Sequence, residues 1–309
     1  MTSLGDHSRR GRELAARIIA QVVADALPAG SMLGTEPELM ARFSVSRGTF
    51  REAVRQLEWQ GVVTAARGAG GGLRVAAPGI FVPMFALKVY FELARVDPVA
   101  MRRALRIVHR AIVESGVDAP DGILEFMARA ADGQFAAAID RTRERGARES
   151  KLSERTAYAI TLEIEDRDMR PGDAIGREPE LLERLNVGRG VLREALNLME
   201  INGVIEVRRG TRGGIFVGTP TADFAIDAAC VHLAIASSAS AVAAAQRGLF
   251  LANGDKGFPA GTRAPSPDAL AVAARTAANR ERNPVLAIFL RVFERYWRDF
   301  HPGEPVKAK

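Results

Sequence analysis

The sequence predicts a mainly α-helical protein in which one small helix-rich unit is written twice, each copy being followed by more helix. Three observations carry that expectation. The stretch VSRGTFREAVRQLEWQG (residues 45–61) returns as VGRGVLREALNLMEING (residues 187–203). The offset of 142 residues that takes Arg47 to Arg189 also takes Glu36 to Glu178, Gly61 to Gly203, Gly68 to Gly210, Val75 to Val217 and Pro78 to Pro220, without a gap. The segments after the copies are rich in alanine and broken by one Gly/Pro/Ser-rich stretch, NGDKGFPAGTRAPSPD. The repeat is too long for a solenoid and suits a small domain copied once. The copies are placed at 10–78 and 151–220, with helical segments at 79–150 and 221–309.

Each element of the copy has its own local reason. Leu14, Ile18 and Val22 recur at helical spacing, and Pro28 with Gly30 stops that first helix. Thr35 followed by Glu38 has the spacing of a capping box, and Leu39, Met40 and Phe43 form the apolar face of a second helix. Ser46 can cap a third helix whose Phe50, Val54 and Leu57 face inward while Arg47 and Arg51 share another face. VVTA, the turn RGAGGG and LRV then predict a two-stranded hairpin. Helix, helix, turn, helix and hairpin make a winged helix-turn-helix. In the second copy Leu192, Leu196 and Met199 repeat the buried face and VIEVRRGTRGGIFV repeats the wing, while Gly188 in place of the serine weakens the cap.

Composition narrows the function classes. The chain has 309 residues, 47% of them hydrophobic, enough for several small cores. Lys and Arg total 43 against 37 Asp and Glu, a net charge of +6, so a polyanionic partner is compatible with the totals but position must decide. Cys230 is the only cysteine, which excludes an internal disulfide framework and fits a reducing cytoplasm. Glu13, Arg17 and Asp25 interrupt what would be the apolar core of a twin-arginine signal, so SRRGRELAARIIAQVVADAL is read as a helix of the mature protein. GIFVPMFALKVYFELA carries Pro83 and Lys88 and is shorter than a membrane span, so no membrane role is expected.

The arginines supply the chemistry. Two of them at i and i+4 repel by a few tenths of a kcal/mol on an isolated helix. Near the N-terminus of a helix in a major groove they can reach phosphates or guanine edges, aided by the helix dipole. Gly48 and Gly190 cost helix stability but let the backbone approach a phosphate strand. A solvated face with Glu52 or Glu194 as salt-bridge partners is the bland alternative; retention of the arginine pair, the glycine and the wing arginine in both copies argues against it. Arg67 with Gly68, and Arg208, Arg209, Gly210 and Arg212, flank tight turns suited to a minor groove or backbone. GAGGGL lacks the Lys-Ser/Thr and the helix of a nucleotide-binding loop.

LGTEPELMARFSVSRGTFREAVRQLEWQGVV with RGAGGG, and IGREPELLERLNVGRGVLREALNLMEINGVI with RGTRGG, resemble the DNA-binding domain of GntR-family bacterial transcription regulators. The resemblance implies recognition-helix contacts for Arg47, Thr49 and Arg51 and for Arg189 and Arg193, with wing tips at Arg67–Gly68 and Arg209–Gly210; Ser46, Gly48 and Gly190 beside them are counted among the expected DNA-binding residues. The family often has a DNA-touching arginine early in the second helix; Pro37 and Pro179 stand there, so that contact is expected to be missing.

The segments after the copies resemble shortened pieces of the helical ligand-sensing domain (FCD) of the FadR branch. Leu105 and His109 stand where that branch usually has Arg and Glu. Many such domains hold a metal through one aspartate and three histidines. Here His7, His109, His232 and His301 are scattered, so no metal site and no cofactor are expected, and His109 is read as a packed or half-exposed helix residue. The acidic run EIEDRD (163–168) is read as a solvated helix end, and no paired acid and base suggests an enzyme.

The expected function is a sequence-specific regulator of transcription on double-stranded DNA, acting as a repressor at the nucleoid in the cytoplasm, with a small metabolite as the effector class. The alternative is an interaction protein whose winged helices bind protein. Whether the two copies act within one chain or across a homodimer is left open by the residues.

Overall fold

The computed structural model describes residues 4–66, 71–77, 79–114, 123–132, 152–201, 203–208, 210, 213–219, 221–254 and 265–301. Helix α1 (Leu4–Ala24) buries Leu14, Ala15, Ile18, Ile19 and Val22 along one side, the stripe that the spacing predicts. Strand β1 (Met32–Gly34) follows, then α2 (Glu36–Phe43), α3 (Arg47–Trp59) and the hairpin β2 (Val63–Ala66) and β3 (Gly72–Val75). The backbone N–H of Thr35 donates to the Glu38 carboxylate at 2.8 Å, as in the expected capping box. The first copy is therefore a winged helix, but with one strand more than the sequence predicts. β1 pairs antiparallel with β3, giving the order β1-β3-β2. Three residues are too few to show an alternating pattern, and Gly34 bends the strand at a register shift with φ +143°.

The second copy repeats this backbone with α7 (Leu152–Asp166), β4 (Ala174–Gly176), α8 (Glu178–Leu185), α9 (Arg189–Ile201), β5 (Ile205–Arg208) and β6 (Gly214–Val217), in the sheet order β4-β6-β5. The agreement extends to left-handed residues. Ser44 and Asn186, which end α2 and α8, have φ +53° and +50°.

Between and after the copies lie α4 (Phe81–Leu93), α5 (Pro98–Glu114), α6 (Ile123–Asp132), α10 (Ala222–Ala236), α11 (Ala239–Ala252), α12 (Pro267–Arg280) and α13 (Pro284–Phe300). α4 packs on α10, α5 on both α6 and α11, and α13 on α10 and α12. Small alanine side chains let these helices approach closely, while Phe85, Phe250, Phe289, Phe293 and Tyr296 fill the space between them. The buried Gln246 is fully used: its amide donates to the Leu270 carbonyl at 3.0 Å and its oxygen accepts from Trp297 Nε1 at 2.7 Å. The apolar core of the second winged helix runs on into this helical body, whereas the first has a core of its own, joined by Val231 of α10.

The acidic run at 163–168 is a helix end exposed from Glu165 to Asp168, as its composition suggests, and several of its carboxylates also form ion pairs. Glu163 accepts from Arg167 at 2.7 Å and pairs with Arg184 at 3.0 Å. Glu165 reaches Lys88 of α4 at 3.2 Å, and Asp168 reaches Arg95 at 2.7 Å. Its residues tie the second winged helix together and dock it on α4, beside a cavity of about 230 Å³ lined in part by Val89, Leu93, Ile164 and Met169.

Candidate nucleic-acid interface

Each helix-turn-helix is held from inside. Phe50, Ala53 and Leu57 bury α3 against α1, and Val54 packs at the edge of the same core. Leu192, Ala195, Leu196 and Met199 do the same for α9 against α7. With these faces committed to the core, the opposite face of each helix is left outward.

On that outward face Ser46, Arg47, Gly48 and Arg51 are exposed at the start of α3, as are Arg189, Gly190 and Arg193 at the start of α9. The Ser46 hydroxyl accepts the Thr49 N–H at 3.3 Å, the cap expected for the third helix. Thr49 itself differs from the outward role implied for it. It is buried, 4% exposed, with its hydroxyl 3.0 Å from the Ser46 hydroxyl, so it braces the cap from within.

The glycines have no internal explanation. A Cβ at Gly48 would meet only the Ser46 hydroxyl, at 3.9 Å, and a Cβ at Gly190 would meet nothing within 4 Å. Neither glycine has a positive φ. Elsewhere the chain uses glycine for a stated reason, as at Gly72, where a Cβ would stand 2.6 Å from the Gly34 carbonyl oxygen.

Sequence reasoning missed one pair of residues. Glu36, the first residue of α2, accepts from Arg47 Nε at 2.7 Å and lies 3.9 Å from Arg51. Its counterpart Glu178 accepts from Arg193 at 3.2 Å. These carboxylates precede Pro37 and Pro179, and they hold the arginines across the motif while leaving them largely in solvent, 68% exposed for both Arg47 and Arg193. Retention of Glu36 and Glu178 at the common offset was the available signal; the partner of each could be seen only once the fold placed it.

In the wings, β2 and β3 pair from Val63↔Val75 to Ala66↔Gly72, and β5 and β6 from Ile205↔Val217 to Arg208↔Gly214. Arg67, Gly68, Arg209 and Arg212 lie outside the described residues. Gly210 has φ +104°, and its carbonyl accepts the Gly213 N–H at 2.8 Å, as a tight turn requires. Arg208 is already engaged: it pairs with Glu206 at 2.9 Å and lies over the Phe216 ring, 4.2 Å from its centroid.

Among the described residues no group of three or more His, Cys, Asp or Glu is placed to hold a metal ion, and no helix is long and apolar enough to cross a membrane. His109 is exposed on α5, rather than packed or half-exposed as its place in a helix suggested. His232 packs on Phe126, and burial pulls its imidazole down to about 4 against a weaker opposing hydrogen bond with the Gly79 backbone. Cys230 is buried, and burial pushes its thiol well up, so it is no ready nucleophile.

Comparison with known proteins agrees with this geometry. The family model of bacterial regulatory proteins of the gntR family matches residues 10–72 and again 152–217. The "Uxu operon transcriptional regulator" of Escherichia coli (strain K12) is 51% identical over 47 residues, covering 15% of this chain and 18% of that protein. The "Putative HTH-type transcriptional regulator RmpR" of Mycobacterium gastri is 39% identical over 70 residues, covering 23% of this chain and 24% of that protein. The likeness thus spans a quarter or less of either relative. No solved structure matches the chain. Two segments of the chain, residues 10–72 and 152–217, are thus similar to the gntR family of bacterial regulatory proteins.

Proposed function

We propose that the protein regulates transcription by binding duplex DNA through both winged helices, with α3 and α9 entering the major groove and the wings lying along backbone or minor groove. Residues 10–78 and 151–220 are the DNA-reading domains in this account, and 79–150 and 221–309 form the helical body, akin to the FadR branch. The observation that carries it is the exposed Arg-Gly pair with a second arginine one turn on, presented twice at a helix start where nothing inside the chain requires the glycine. Arg47, Arg51, Arg189 and Arg193 supply phosphate and guanine contacts, and Gly48 and Gly190 let the backbone close on the phosphates. The relatives named as transcriptional regulators support the regulatory role. Repression is the expected mode, because a protein seated across a promoter blocks access to it without further machinery.

Binding measured by fluorescence anisotropy on duplex DNA at a series of salt concentrations tests this reading. Displaced counterions make log K fall linearly with log salt, with a slope near −0.9 per phosphate contacted. Binding too weak to measure at about 50 mM salt, or a slope near zero, would favour the alternative in which the winged helices bind protein.

A further inference from the structure

Exchanging the two halves of the sequence carries four helix contacts onto themselves or onto one another. Shifting α4, residues 81–93, by the repeat offset carries it onto 223–235, inside α10, and α5 is carried likewise onto the position of α11. These equivalent helices are the ones that pack against each other, α4 on α10 and α5 on α11. The recognition units are crossed in the same sense: α1 of the first copy packs on α10 of the second half, and α7 of the second copy packs on α4 of the first. A contact that maps onto itself, or onto its mate, when the halves are exchanged is the signature of a two-fold dimer interface.

The crossed contacts are sealed rather than incidental. Phe85, Leu87 and Val89 of α4 are buried, as are Ala229 and Leu233 of α10. The Asn283 side chain, at the start of α13, donates to the Ala100 carbonyl in the other half at 2.8 Å. A second chain would find this surface already filled.

We infer that the chain is a covalently fused pair, a monomer in solution that presents α3 and α9 to the two half-sites of one duplex. The proposal rests on the DNA reading above and extends it to the stoichiometry. Fusion makes the second recognition event intramolecular, so the loss of overall motion that two separate chains would suffer on pairing is met once, during folding. It also frees the two heads to diverge, because a change in α9 need not appear in α3. The two docking surfaces have diverged in part: both keep an apolar pair, Val89 and Leu93 at one and Val231 and Ile235 at the other, but only the first adds Lys88 and Arg95 facing Glu165 and Asp168.

The test is light scattering on the full chain, alone and bound to one duplex selected from random DNA. The expected result is the mass of one chain in free solution, one chain per duplex, and binding first order in protein. A dimeric free chain, or two chains per duplex, overturns the assignment. Absence of any duplex binding would sink the DNA reading instead, and the mass of the free chain would still decide whether the pair is fused.

Discussion

Gly48 and Gly190 each cost helix stability, about 0.5–1 kcal/mol relative to alanine in a helix interior, and neither conformation nor space inside the chain demands them. A residue that is unfavourable in the free protein and useful only when something comes close belongs to binding rather than to folding. Gly48→Ala is therefore expected to raise stability to urea by up to about 1 kcal/mol while weakening DNA binding severalfold. Unchanged affinity would show that no backbone approaches there.

At this scale much was legible from the sequence, because capping and turn chemistry act over three or four residues. The Ser46 cap, the Glu38 bond to Thr35 and the inward Phe50 and Leu57 all follow from spacing. The burial of Thr49 was not legible: a short polar side chain beside exposed neighbours carries no mark of which way it turns. Glu36 and Glu178 were hidden for a related reason, since their arginine partners lie 11 and 15 residues along the chain.

Among elements, the second winged helix joins the helical body through a continuous apolar core with ion pairs to α4 at its edge, while the first keeps a core of its own that Val231 of α10 joins. Lys88 is shared between Glu92 and Glu165; burial opposes its charge, but the two carboxylates leave it raised above its ordinary value. Burial in turn holds Glu92 up, to about 7, despite its bond to Lys88. The sequence showed Lys88 only as a charge interrupting an apolar run, because its partner Glu165 lies 77 residues along the chain. The strand β1 escaped notice because three residues have no period.

His232 of α10 offers a cleaner titration. Its folded value, about 4, lies below the unfolded 6.5, so between these pH values the unfolded chain binds a proton that the folded chain refuses. Its contribution to stability is full above about pH 6.5 and falls as pH drops towards 4, by an amount on the order of 3 kcal/mol. Urea unfolding of wild type and His232→Gln across that window should show the difference between them changing by that order. Parallel curves would mean that the imidazole is solvated.

In the whole molecule, the repeat itself was legible because the two winged-helix copies kept their residues, while the crossed helical body was not. The helical segments share few identities at the common offset, so nothing in the sequence shows that α4 pairs with α10 or α5 with α11. Helix packing needs only small and apolar faces of matching shape, and many sequences satisfy it. On the proposed reading, contacts with DNA restrict the residue more tightly, so that arginine and glycine recur where alanine and leucine have drifted.

The central claim is that both copies read DNA. It is tested most directly by DNA footprints of Arg51→Ala and Arg193→Ala on a single selected operator. Arg51 and Arg193 are exposed and outside both cores, so folding should survive either change. Each substitution is expected to lower affinity by about 1–3 kcal/mol, with protection lost from a different half of the site in each case. An Arg193→Ala protein with unchanged affinity and an unchanged footprint, beside an Arg51→Ala protein that no longer binds, would contradict the account and make the second winged helix a structural or protein-binding unit.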